Sequence, residues 1–176
     1  MPKRNVERAR ALLKEAGVTN PSFTLLAATT SEAQRLALVV QAMSRDAGFD
    51  VKIQATEFAT SLNMADKGDY EAYVLAWSGR ADPDGNAFSF HGCKQPLNYS
   101  GYCNAETDAL LNQSRTLRDP AERKKVYEQI AAKVLKERPI VYLYHRNWLW
   151  AYNTKLAGVR NVPDGLLRVQ GLKLAP

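Results

Sequence analysis

Apolar and polar positions along this chain follow two different periods, and the switches between them outline its first half. In "VERARALLKEAG", Val6, Ala9, Leu12, Leu13 and Ala16 recur at helical spacing behind Asn5, a good N-cap, and the run stops at Gly17. "SFTLLAA" is a short continuous apolar run of the kind a buried strand shows. A second helix is expected from a Thr30 or Ser31 cap, with an apolar stripe of Leu36, Val39, Val40 and Met43 and a stop at Gly48. "DVKIQATEF" then alternates Val51, Ile53 and Ala55 with polar neighbours, which is the period of a half-buried strand. Strand, helix and strand in succession predict a βαβ unit with parallel pairing and a right-handed crossover.

Further along, "TSLNMADKGDY" predicts a short helix broken at Gly68, and "YEAYVLAW" a third strand that ends in Trp77. Residues 79–103 are dominated by turn formers. Asn104 then caps a helix bearing Leu110 and Leu111. Asp119 and Pro120 supply the N-cap and first position of a longer helix, with Val126, Ile130, Val134 and Leu135 as its expected buried face. "PIVYLYH" and "NWLWAY" are strand-like and aromatic, and "GVRNVPDGLLRVQGLKL" reads as an irregular return with one more short strand. The class these elements define is α/β, in one main domain.

Composition narrows the function classes. A chain of 176 residues with 45% hydrophobic content is long enough to bury a sizeable core. Its net charge of +6 is spread along the chain, and the dense stretch "PAERKKVYEQ" mixes both signs as a solvated helix face does. No nucleic-acid surface is expected, because such surfaces gather Lys and Arg on one face. No apolar run approaches the ~20 residues that cross a bilayer. No apolar signal segment follows "MPKRNVERAR", so a soluble chain without its own export address is expected.

The ten residues "AWSGRADPDG" concentrate the candidate chemistry. Asp82, Asp84 and Asn86 alternate around Gly85 as in part of a calcium loop, but His91 stands where such a loop needs a bidentate Glu, and Pro83 removes a backbone donor. His91, Cys93 and Cys103 match no zinc spacing, so no metal is expected. With no Walker loop and no G-x-G-x-x-G, no cofactor is expected either. His91 and Cys93 lie close enough in sequence to suggest a thiol-dependent hydrolase, but no catalytic signature accompanies them, and a chain that is not an enzyme is the leading reading. His145 reads as a packed or hydrogen-bonded histidine rather than a base. Cys93 and Cys103 could form a local disulfide in an oxidising compartment or stand as unrelated thiols, and their spacing leaves both open. Recognition without chemistry remains. Trp77 offers an aromatic plate, Ser78 and Gly79 a closely approachable backbone, and Arg80 a guanidinium able to hold a carboxylate through two hydrogen bonds. Ligands of open α/β sheets bind beyond the carboxyl ends of strands, where Trp77 is expected. The plainer alternative makes Trp77 a core aromatic and pairs Arg80 with Asp82 to stabilise the turn.

The order of motifs resembles the C-terminal lobe of the solute-binding proteins that serve ABC importers of peptides, nickel and related solutes, family 5. The resemblance rests on "NVERARALLKEAG" followed by a strand, "DAGFDVKIQ", "LAWSGRADPDG", "NYSGYCNAETDALL" with Asp108 and Leu110 at the helix start, and "DPAERKKVYEQIAAKVLKERPIVYLYH". It implies a type II solute-binding fold, a mixed sheet flanked by helices, in a longer parent whose two lobes close on a small polar solute, peptide-like or another organic molecule. Residues 1–162 would be an incomplete C-terminal ligand-binding lobe, and residues 163–176 a tail returning toward the N-terminal lobe. The parent would be periplasmic and would deliver its solute to the importer's membrane subunits. In that compartment a Cys93–Cys103 disulfide is the expected state. Trp77 and Gly79 match the turn that lines the family's cleft, and Asp82 and Asp84 its Asp-Pro segment. In the dipeptide-binding branch the residue after that Gly is acidic and anchors the ligand's α-amino group. Arg80 inverts this charge, which implies a carboxylate or phosphate-like group on the solute. A surface meant for the other lobe could also drive dimerisation, which makes an interaction module a further alternative.

Overall fold

The computed structural model of the chain describes residues 3–162 and 164–174. Two compact units divide it, residues 1–76 and residues 77–176.

In the first unit the elements run α1 (Val6–Glu15), β1 (Ser22–Ala28), α2 (Ser31–Ala47), β2 (Asp50–Thr56), α3 (Phe58–Lys67) and β3 (Ala72–Val74). The three strands form a parallel sheet in the order β2-β1-β3. The central strand is paired on both sides, so its continuous apolar run is buried, with Leu26 and Ala27 at 1% and 0% exposure. The edge strand β2 instead alternates a buried Val51 with exposed neighbours. Both helix starts read from the sequence are real caps: Asn5 Oδ1 accepts from Arg8 N at 2.8 Å, and Thr30 Oγ1 from Ala33 N. The stripe on α2 is different from the expected one. Ala37 is buried in the core with Leu25, Ala27 and Val51, and Val40 packs against it, whereas Val39 and Met43 are about half exposed. The small Ala37 lets the helix lie close to the sheet, and a hydropathy pattern gives such a residue little weight.

The second unit contains α4 (Asp84–His91), α5 (Ala105–Thr116), α6 (Pro120–Glu137) and a two-stranded antiparallel sheet of β4 (Leu156–Ala157) and β5 (Lys173–Leu174). Asn104 Oδ1 accepts from the backbone of Glu106 and Thr107, and Asp119 Oδ1 from that of Glu122, so both expected caps form. The core joins Leu111 of α5 to Val126, Ile130 and Val134 of α6. Full burial of a leucine such as Leu111 stabilises by roughly 1.5–3 kcal/mol. Leu135 is not part of this face: one residue beyond Val134 along the helix it turns outward and is 49% exposed.

Two expectations change in this unit. Residues 84–91, inside the predicted turn region, are helical. Gly85 and Asn86 are weak helix formers and the segment has no apolar stripe. It winds because Ala87 and Phe88 pack on the α5–α6 core and Asp82 Oδ1 accepts from Asp84 N at the helix start. Conversely, "PIVYLYH" and "NWLWAY" carry no strand. A strand needs a neighbour for its backbone N–H and C=O groups, and among the described residues of this unit only β4 and β5 pair. Val141 and Leu149 are left 72% and 91% exposed. The third strand is also shorter than expected and ends at Val74, before Trp77.

The α/β class is what the structure shows, with parallel and antiparallel pairing in separate sheets. In the tail, β5 supplies the expected short strand; Pro163, Ala175 and Pro176 lie outside the described residues. Among the described residues no helix is long and apolar enough to cross a membrane.

Candidate functional site

All five residues singled out for ligand binding lie at the start of the second unit, on the turn that leads into α4. Trp77 is 43% exposed, so it is not the fully buried core aromatic of the plainer reading. Its indole is nonetheless held from three directions. Phe90 meets the ring edge-on with centroids 5.1 Å apart, Nε1 donates to Asn86 Oδ1 at 3.1 Å, and the Arg80 guanidinium lies over the ring at 4.3 Å.

Arg80 does not pair with Asp82. Its Nη1 donates to Ser78 Oγ at 3.1 Å and to the Gly79 carbonyl at 2.8 Å, which curls the side chain back over its own turn. Gly79 adopts φ +79°, a left-handed conformation that suits glycine, and this allows the curl. Nε and Nη2 donate to no acceptor among the described residues. Those two atoms form the side-on edge with which a guanidinium grips a carboxylate. The charge of Arg80 also reaches Asp164, whose carboxyl is held below its ordinary range first by the Leu166 backbone N–H and then by Arg168.

Asp82 turns the other way. Its two oxygens accept from Arg123 Nη1 and Nη2, both at 2.8 Å, in a bidentate pair that ties the turn to α6. This pair holds the Asp82 carboxyl down at about 2, with the Asp84 backbone N–H as the second cause, and it raises the Arg123 guanidinium. Asp82 is thus a structural anchor of the turn. Asp84 faces Arg115, whose Nε stands 3.3 Å away but off the hydrogen-bonding direction, so the ion pair leaves Asp84 Oδ1 buried without a donor. Because folding lowers the Asp82 pKa, the stabilisation from this bridge is complete above its ordinary value of 3.8 and is lost as pH falls through about 2. The Asp82 carboxyl carbon, followed by NMR, is expected to titrate near pH 2, and in Arg123→Ala to move up toward 3.8.

Beyond α4, Cys93 and Cys103 are joined in a disulfide and no cysteine is free. The loop they close is wound around Asn98, whose Nδ2 donates to the Gly92 and Tyr102 carbonyls. Cys93 N donates to Asp108 Oδ1 at 2.9 Å, which fastens the loop to α5. The hydrolase alternative therefore loses its nucleophile. His91, its supposed base, is 3% exposed, with Nε2 2.7 Å from the Tyr142 hydroxyl and Nδ1 unpartnered, and burial holds its pKa below the ordinary value. Among the described residues no group of three or more His, Cys, Asp or Glu side chains is placed to hold a metal ion.

Sequence reading missed Asn86, Phe90 and Arg123. Asn86 and Phe90 are four apart on a helix that was not expected, and Arg123 lies in a charge-mixed stretch that reads as solvated surface. Only the Asp-Pro-Asp spacing, which drew attention to Asn86 as a rejected calcium ligand, pointed near them.

The turn thus brings Trp77, Ser78, Gly79 and Arg80 together, with the guanidinium lying on the indole and its Nε and Nη2 without an acceptor among the described residues. Residues 1–98 match the family described as bacterial extracellular solute-binding proteins, family 5 Middle, and this chain belongs to that family. It is 30% identical to the oligopeptide-binding protein AppA of Bacillus subtilis (strain 168), over 90% of this chain and 32% of AppA. It is 33% identical to di/tripeptide-binding protein 4 of Pseudomonas aeruginosa (strain UCBPP-PA14), over 78% of this chain and 27% of that protein. The solved structure of B. subtilis AppA in complex with a nonapeptide superimposes with a TM-score of 0.82 at 26% identity, covering 99% of this chain and 38% of that one. AgaA from A. tumefacien R10, solved with agropinic acid, superimposes with a TM-score of 0.72 at 28% identity, covering 79% and 30%. The chain thus spans about a third of the length of the curated relatives it matches.

Proposed function

We propose that this chain is the ligand-binding part of an ABC importer's solute-binding component, capturing a small polar solute that carries a carboxylate. The observation that carries this reading is Arg80: its guanidinium rests on Trp77 with the Nε–Nη2 edge open, at the position where the resemblance places an acidic residue in dipeptide binders. A cation there disfavours a free peptide amine and favours an anionic group. AgaA, solved with an acid, is consistent with such a solute. Ser78 and Gly79 would contribute backbone hydrogen bonds, while Trp77 supports the guanidinium from behind. Asp82, assigned to the ligand from the sequence, forms the bidentate pair with Arg123 that ties the turn to α6.

In this reading residues 1–162 belong to one ligand-binding lobe and residues 163–176 to a returning tail. The protein works outside the cytoplasm, makes no covalent change to its solute and hands it to membrane subunits of the importer. Calorimetry on a protein of its relatives' length, with small organic acids, their amides and free-amine dipeptides, tests the proposal. Acids are expected to bind more tightly than their amides; equal affinity for acid and amide would sink it. The 176-residue chain alone is expected to bind weakly, since a lobe buries only part of a ligand that two lobes enclose. Micromolar affinity of the chain by itself would contradict a two-lobe site.

A further inference from the structure

The Trp77–Arg80 turn is closed by a single side chain. Asn86 Oδ1 accepts from Trp77 Nε1 at 3.1 Å and from Arg80 N at 2.7 Å, while its Nδ2 donates to the Arg80 carbonyl at 2.7 Å and to the Asp82 carbonyl at 3.3 Å. All the hydrogen-bonding capacity of a carboxamide, two donors and two acceptor sites, is used within one turn of chain. No other residue type of that length offers both functions. An aspartate would keep the acceptors but face two carbonyls without a proton, and an alanine would lose everything.

The neighbours of Asn86 serve the same end. Phe90, one helical turn later on the same face of α4, packs its ring against Trp77. Gly85, just before it, leaves room for the Arg80 stem: a Cβ at this position would sit 2.9 Å from Arg80 Cγ and 3.0 Å from Arg80 Cβ. One turn of helix therefore fixes the tilt of the indole, both backbone groups of Arg80 and the path of its side chain.

We infer that Asn86 is the positioning residue of this site, holding the Arg80 guanidinium on Trp77 in the orientation that leaves its Nε–Nη2 edge open to a carboxylate. Asn86 acts through Arg80 and touches no solute. The inference rests on the reading of Arg80 as the anion holder, and Gly85 is its steric counterpart.

NMR on the isotope-labelled chain tests this directly. The Trp77 indole signal is assigned by its loss in Trp77→Phe. In the wild type, the Arg80 side-chain protons are expected upfield, shifted by the ring current of Trp77, and the Trp77 indole and Arg80 amide protons are expected to exchange slowly. In Asn86→Ala the upfield shift should disappear and both protons should exchange at least about tenfold faster, as loss of a net ~1.4 kcal/mol implies. The Leu111 and Val126 amides should keep their protection, showing that the core is intact. Asn86→Asp, which retains the acceptors, should recover part of the Trp77 and Arg80 signals. Gly85→Ala should remove the upfield shift while leaving the Trp77 indole protected. An unchanged Arg80 shift in Asn86→Ala overturns the inference, as does a loss of Leu111 protection alongside it in both Asn86 variants, because the residue is then a general fold determinant.

A titration with acetate, and acetamide as neutral control, separates the inference from the reading beneath it. The Arg80 Nε–H signal of the wild type should respond to acetate and not to acetamide, and Asn86→Ala should lose that response. A wild type indifferent to acetate, with the exchange results as expected, overturns the anion-holding role of Arg80 and leaves the clamp by Asn86 standing.

Discussion

Arg80→Glu, made in a protein of its relatives' length, is expected to weaken binding of a carboxylate-bearing solute by about tenfold to a hundredfold. A hydrogen bond to a charged group contributes ~1.5–3 kcal/mol, and each ~1.4 kcal/mol is a factor of ten in affinity. The true loss should lie toward the upper end. Inversion replaces an attractive charge by a repulsive one, and the new carboxylate cannot rest on the electron-rich face of Trp77 as the guanidinium does. The same variant should gain affinity for free-amine ligands, because it restores the sign that the family resemblance assigns to dipeptide binders at this position. Calorimetry with paired acids and amines reads both effects, and a thermal melt shows that the fold is retained. If acid affinity stays within about twofold of wild type, where no hydrogen bond to a charged group has been lost, Arg80 is a structural cation whose work ends at Trp77.

Removing the disulfide is expected to have the largest effect on stability. Cys93 and Cys103 are ten positions apart. The loop-entropy relation gives about 3 kcal/mol for a loop of that size. The double variant Cys93→Ala, Cys103→Ala, or the wild type under reductant, should therefore unfold at a clearly lower urea concentration. The loss should be largest in residues 77–176, the unit that holds the disulfide and the core of Leu111, Val126, Ile130 and Val134. Amide exchange, read separately for Leu25 in one unit and Leu111 in the other, checks that. A change below ~1 kcal/mol would mean that the Asn98 hydrogen bonds already restrict the loop in the unfolded chain.

Much of the architecture was legible because it is written locally. Asn5, Thr30, Asn104 and Asp119 each cap a helix with their own side chain within three residues, and Gly48 ends one in the left-handed conformation. An apolar run set β1 and an apolar–polar alternation β2, and the motif order identified the family that the comparisons show. The Trp77–Arg80 turn was found for the same reason: aromatic, glycine and guanidinium stand together in four residues.

Local sequence thus marked where helices start and stop and which segments can be strands, and it placed the candidate recognition residues in one short stretch. The tertiary structure decided which of those possibilities are used. Packing of Ala87 and Phe88 on the α5–α6 core turned a glycine- and asparagine-containing stretch into α4, and residues 139–153, with no pairing strand among the described residues, stayed irregular. It also chose the partners of charge: Asp82 went to Arg123, 41 positions away, rather than to Arg80 two positions away, which left Arg80 on Trp77 with one edge open. Local propensity acts over a few residues through backbone sterics and short hydrogen bonds. The choice between a near partner and a distant one is made only when the folded chain brings the distant group into bidentate geometry.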